Sequence, residues 1–285
     1  INRKEIPRTR TIELVNELRE AIDPSEPPTF FEATTAMALS YFAKEKTDIA
    51  IMEVGMGGRL DSTNIITPLL SVITNIGHDH MEFLGPTLKA VAGEKAGIIK
   101  EGVPVVIGET QPETRDVFLQ RAEAMHAPVA FADSRFRCRL GRIFPDSSMR
   151  RFTLSGPDDG MTLKGETPLG GLAQRKNLQT TAAAVEKLSA DLGLSREHFL
   201  RGVAGVVENT GLMGRWQILS RSPLTVCDTG HNREGLEYVM RQVRAAEKEN
   251  LHMVIGFVND KDLGSVLPRW NAAMRPPDFA YSAKP

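Results

Sequence analysis

A chain of 285 residues is long for one hydrophobic core, and at ~150 residues per domain it reads as two domains. With 41% hydrophobic and 25% charged residues and a formal net charge of -1, the composition is that of a globular protein with no global attraction for nucleic acid or anionic membrane. Apolar runs stop short of the ~20 residues of a membrane span, and the charged start Ile1 to Arg10 lacks a signal peptide's apolar core, so a cytoplasmic chain with no nucleic-acid or membrane partner is expected.

In chain order, a helix is expected over 31–44, then strands over 48–54 and 69–76, a helix over 87–100, a strand over 104–107, a helix over 113–125 and a strand over 128–132. These strands are continuously apolar rather than alternating, which suits a mostly parallel α/β sheet covered by helices on both faces. Short alternating segments between Gly, Pro and Asp over 135–176 predict a small antiparallel insertion. A helix over 177–192 follows, closed by Gly193, with Leu178, Ala182, Val185, Leu188 and Leu192 on one face. The turn-rich segment 208–214 reads as a linker, placing one domain at 1–212 and a second at 213–285, with a strand over 224–227, a helix over 233–247 and a strand over 252–257. The second domain has too few residues for a complete doubly wound unit. Cys138 and Cys227 lack metal or disulfide spacing and are expected to be buried small hydrophobes.

Three clusters carry chemistry. Glu53 falls at the end of an expected strand and is followed by Gly55, Gly57, Gly58, Arg59, Asp61 and Asn64; ligands of open α/β sheets bind at such strand ends, and the glycines allow close backbone approach. His78, Asp79 and His80 follow the next strand, so Glu53 and His80 could share a divalent metal, where imidazole favours zinc and carboxylate favours magnesium. A zinc hydrolase and a structural salt bridge with a capping histidine both stay open on these residues. In the third cluster, Arg215 offers a planar cationic fork for phosphate, and Asp228, His231 and Asn232 follow a strand of the second domain; a helix-capping aspartate is the plainer alternative.

Together FFEATTAMAL, EVGMGGRLDSTN, SVITNIGHDHMEFLG, EKAGIIKEGVPVVIG, QRKNLQT, GRW and DTGHN resemble, in order and spacing, folylpolyglutamate synthase and dihydrofolate synthase of the Mur ligase superfamily. The resemblance implies a Mur-ligase-type ATPase domain and a Rossmann-like, incomplete second domain. It also implies a ligase that joins a folate or dihydropteroate carboxylate to L-glutamate through an acyl phosphate made with ATP. Glu53 and His80 then match magnesium-holding positions, which turns the metal from zinc to magnesium, and His80 and Lys95 are the expected catalytic residues. Lys95 matches a lysine that many relatives carbamylate. Thr29, Phe31, Asp61 and Ser62 match positions lining a pterin pocket, with Ser62 standing where alanine is expected. Asn177, Arg215, Asp228 and His231 match nucleotide-binding positions. Partners are thus small molecules, and a monomer is expected.

One departure matters: the family's GTNGKGS phosphate loop has no counterpart, since no GxxxxGK[ST] occurs. The chain is therefore expected to be incomplete at both ends and inactive by itself. A cell-wall precursor ligase of the same architecture and a non-catalytic pterin- or nucleotide-binding relative are the rivals. LDSTN and FFEATTAMA favour folate.

Overall fold

The structure is a computed structural model that describes residues 1–78, 81–143, 149–156, 160, 162–230, 233–245, 250–256 and 279–283. Two compact units divide the chain: the first takes Ile1–Ile76, His80–Val105 and Gln111–Val129, the second Gly77–Asp79, Val106–Thr110 and Ala130–Pro285.

Helices α1 (Arg8–Ala21) and α2 (Phe30–Lys44) open the first unit. Sequence reading missed α1 because its stretch is dominated by charged residues and buries only Leu14; α1 is tied to α2 by the Lys44–Glu17 ion pair and by Arg10 to Glu45 at 3.3 Å. At the start of α2, Thr29 forms a capping box: its hydroxyl accepts from the Glu32 N–H at 3.2 Å and Glu32 accepts from the Thr29 N–H at 2.7 Å. A short 3-10 turn, Ser62–Ile65, precedes β1 (Ser71–Ile73), α3 (Met81–Leu84) and α4 (Leu88–Ala96). Next come β2 (Val105–Ile107), α5 (Arg115–Ala124) and β3 (Val129–Phe131). The parallel sheet runs in the order β1-β2-β3, with helices between successive strands, as parallel neighbours require. Val105, Val106 and Ile107 are all at most 1% exposed, which explains the unbroken apolar run.

The strand expected over 48–54 does not form. Residues 49–54 have no regular structure, and Ile49 and Ile51 stand 56% and 93% exposed. Apolarity and β-branching favour an extended backbone, but a strand also needs a neighbour for its ladder, and among the described residues none pairs with this segment.

In the second unit α6 (Ala132–Arg135) leads into β4 (Arg137–Ile143), β5 (Arg150–Ser155) and β6 (Thr162–Thr167). These make the expected antiparallel sheet, with Cys138 opposite Leu154 and Phe152 opposite Gly165. Gly165 is required there, because an added Cβ would lie 2.6 Å from the Phe152 ring, which also meets Phe199 edge-on at 6.4 Å. Cys138 is buried, as expected, whereas Cys227 is only half-buried. Helix α7 (Gln174–Leu192) buries Leu178 and Ala182 and ends at Gly193 with φ 60, the left-handed close expected there. Then come α8 (Arg196–Ala204), α9 (Val206–Thr210), the antiparallel pair β7 (Gln217–Arg221) and β8 (Leu224–Cys227), α10 (Arg233–Ala245), and the parallel pair β9 (His252–Gly256) and β10 (Phe279–Ala283). Leu236 and Met240 of α10 pack with Met253 of β9 as a small core. Among the described residues no helix is long and apolar enough to cross a membrane.

Candidate functional site

The glycine segment that follows Glu53 is held by its own aspartate. Asp61 Oδ2 accepts from the N–H groups of Gly55 (3.0 Å) and Met56 (2.9 Å), while Oδ1 accepts from Thr63 N–H (3.0 Å) and its hydroxyl. Burial pushes the Asp61 carboxyl upward, but the Thr63 hydroxyl and the three N–H groups outweigh it and hold the group below the usual carboxylate value. Phe31 closes the same turn from α2: a Cβ on Gly55 would fall 2.5 Å from the ring's Cζ. Phe31 and Asp61 thus meet around Gly55, with half-buried Ser62 next in chain. Thr29 stands two residues before Phe31, its hydroxyl already engaged with Glu32.

The far end of the segment docks on α4. Arg59 donates through Nη2 to Glu94 Oε1 at 3.1 Å and its N–H to Glu94 O at 2.9 Å. A Cβ on Gly58 would lie 2.9 Å from Glu94 O and 3.1 Å from Lys95 O. Close approach, rather than backbone conformation, is what Gly58 supplies. Lys95 is half-buried in the last turn of α4. The Glu53 carboxylate is exposed and makes no hydrogen bond or ion pair among the described residues. Its expected partner His80 lies outside the described residues, and among those described no group of three or more His, Cys, Asp or Glu assembles. Magnesium binds through one or two carboxylates and keeps several waters, so an unengaged, exposed carboxylate fits that ion.

In the second unit a cavity of about 210 Å³ brings together Asn177 of α7, Arg215 and Asp228. His231, expected with them, lies outside the described residues. Asp228 joins two loops: Oδ2 accepts from the Trp216 N–H at 2.8 Å and Oδ1 from the Gly230 N–H at 2.8 Å, leaving each oxygen a lone pair for a ligand hydroxyl. Trp216 has φ 54, an uncommon conformation for a bulky residue, and this bond to Asp228 anchors its N–H. Arg215 donates through Nη1 to the Thr229 hydroxyl. That contact orients the guanidinium at the cavity wall, and Thr229 returns its own N–H to Gly214 O at 2.9 Å.

Sequence reasoning missed Gln174, Trp216, Tyr238 and Gln242, which also line this cavity. Gln242 flanks the apolar face that Leu236, Val239, Met240 and Val243 form on α10, and it is buried. Beside the cavity, Lys176 pairs with Glu109 and sits 5.9 Å from the Tyr238 ring centre. Burial works against the Lys176 ammonium, but Glu109 and Tyr238 more than compensate and raise its pKa above the usual lysine value.

Residues 6–185 match the Mur ligase middle domain, more than half of the chain. The chain belongs to the Mur ligase family. It is 36% identical over 264 residues to the dihydrofolate synthase/folylpolyglutamate synthase of Bacillus subtilis, covering 90% of this chain and 60% of that protein. Among solved structures, the fold superposes with a TM-score of 0.80 at 30% identity on Escherichia coli FolC in complex with DHPP and ADP, over 97% of this chain and 62% of that one. It superposes with a TM-score of 0.84 at 29% identity on an FPGS–AMPPCP–folate complex, over 95% and 67% of the two chains. The chain thus spans about 60% of the length of the curated relative it matches.

Proposed function

We propose that the protein is an ATP-dependent carboxylate–amine ligase of folate metabolism that adds L-glutamate to dihydropteroate, to a reduced folate, or to both. The observation that carries this reading is the convergence of Asn177, Arg215 and Asp228 on one cavity, in a chain whose relatives have been solved with AMPPCP or ADP and with folate or DHPP. In this reading Asn177 faces the adenine, the Arg215 fork meets phosphate oxygens, and Asp228 accepts from a ribose hydroxyl; His231 belongs to the same set. Thr29, Phe31, Asp61 and Ser62 line the pterin side. The Phe31 ring offers a flat apolar surface, and Asp61 fixes the turn beneath it. The ATPase-type domain is assigned to 1–212 and the Rossmann-like domain to 213–285.

Glu53 and His80 would hold magnesium, which when bound neutralises charge on the phosphates and on the acyl acceptor. Lys95, if carbamylated, would add a carboxylate-like group beside it. The reaction is phosphoryl transfer from ATP to the substrate carboxylate, followed by attack of the glutamate amine and loss of phosphate. Fixed cations such as Arg215 favour the charge that builds up on oxygen, and the site must exclude water, because an acyl phosphate hydrolyses.

The test is glutamate incorporation by the full-length protein with magnesium and ATP, offered dihydropteroate, tetrahydrofolate or a uridine-nucleotide peptide acceptor. Product with either pterin is expected. Turnover of the uridine-nucleotide acceptor alone would transfer the protein to cell-wall precursor synthesis, and nucleotide binding with no product from any acceptor would make it a binding relative.

A further inference from the structure

The cavity wall over 171–173 starts at the second of two successive glycines, Gly170 and Gly171, a stretch whose backbone has little intrinsic preference. Side chains hold it from two sides. From α10, the Gln242 amide clasps the segment with both ends: Nε2 donates to Gly170 O at 3.0 Å and Oε1 accepts from the Leu172 N–H at 3.0 Å. From β5, Arg150 Nη1 donates to the same Gly170 O at 2.5 Å while its Nε donates to Gly141 O at 3.0 Å. Arg150 is only 8% exposed and pairs with no carboxylate among the described residues. A guanidinium taken out of water in this way depends on its carbonyl acceptors, and burial pushes its pKa down. The Gly170 carbonyl thus receives two donors, one for each lone pair. Neither Arg150 nor Gln242 touches the reacting groups in the reading above.

We infer that Arg150 and Gln242 are positioning residues that hold the segment 170–172 as a preformed wall of the nucleotide cavity, and that Arg150, in the antiparallel sheet and outside the cavity lining, tunes nucleotide affinity without touching the ligand. The inference rests on reading that cavity as a nucleotide site. Gln242 alone supplies both halves of the clasp, and a planar fork is the side chain that spans two carbonyls from within a sheet; lysine keeps the charge but is a point donor.

Two measurements on the full-length protein separate the outcomes: native-state hydrogen exchange without nucleotide, and calorimetric titration with magnesium ATP. For Gln242→Met, the expected result is exchange at the Leu172 amide faster by about tenfold and a Kd for ATP raised by about tenfold, the size of one or two lost hydrogen bonds. The amides of β4, β5 and β6 should stay as protected as before. Arg150→Lys should move both readouts in the same direction by less. A purely structural role would instead speed exchange across the whole antiparallel sheet and leave the Kd of the folded protein unchanged, which overturns the inference. A quickened Leu172 amide with unaltered ATP affinity overturns it equally. If the unmutated protein binds no ATP, the nucleotide reading itself fails, and with it the claim on affinity; the exchange data then judge the clasp alone.

Discussion

Asp61 organises a turn of the fold at a position proposed to line the pterin pocket. Its two oxygens collect three N–H groups and a hydroxyl, which draws residues 55–63 into a closed turn beneath Phe31. Its folded pKa lies below the usual value of 3.8, so its contribution to stability is complete above that value and disappears as pH falls through the lower folded value. Asp61→Asn retains one acceptor oxygen and should cost roughly 1.5–3 kcal/mol at neutral pH, the range for hydrogen bonds to a charged group. Urea denaturation of wild type and variant at pH 7 and again below pH 3 checks this: the gap should narrow in acid. An equal gap at both pH values would mean that the charge on Asp61 contributes nothing to the turn. The sequence marked Asp61 through its neighbours, yet its bonds to Gly55 and Met56 were invisible there, because a side chain reaching back five or six residues leaves no periodic trace.

The two glycines of the α4 region have opposite reasons to exist. Gly93 lies in the helix with nothing within 4 Å of an added Cβ, whereas a Cβ on Gly97 would sit 2.4 Å from both Cα and Cβ of Arg59. Gly93→Ala should stabilise by roughly 0.5–1 kcal/mol, since it removes backbone freedom from the unfolded chain at no steric cost. Gly97→Ala must push the Arg59 backbone away from the helix and should cost roughly 1–3 kcal/mol. The partly exposed Arg59–Glu94 ion pair is too weak to offset that. Denaturation midpoints of the two variants, with unchanged slope, give the comparison; a destabilised Gly93→Ala or a neutral Gly97→Ala would contradict the packing described. Helices were legible because capping and three-to-four spacing are local: α2, α4, α5, α7 and α10 all fall where the pattern placed them. The strand over 48–54 was not, since its apolar residues state only that the segment wants cover, while hydrogen-bond partners decide whether it becomes a strand.

At the scale of the molecule, chemistry read from single residues left zinc and magnesium, enzyme and structural turn, all open, and it was the resemblance carried by the joint order of several motifs that favoured magnesium and an enzyme. The cavity adds what motifs cannot: Asn177, Arg215 and Asp228, spread over some fifty positions of sequence, line one space. A ligand that binds only the folded state adds RT ln(1 + [L]/Kd) to stability, about 2.7 kcal/mol at a hundredfold excess over Kd. Magnesium ATP at that excess should therefore raise the melting temperature of the full-length protein without any folate present. All three residues belong to the second unit, so amides of α7 and α10 should gain protection. Arg215→Lys keeps the charge but loses the planar fork, and a tenfold weaker Kd would remove about 1.4 kcal/mol of that gain at the same ATP concentration. The unliganded melting temperature should move little, because Arg215 is exposed and its described hydrogen bonds go only to Gly214 O and the Thr229 hydroxyl. A thermal shift of equal size in wild type and variant would remove Arg215 from the nucleotide site and leave it as a tie between the two loops that Asp228 already joins.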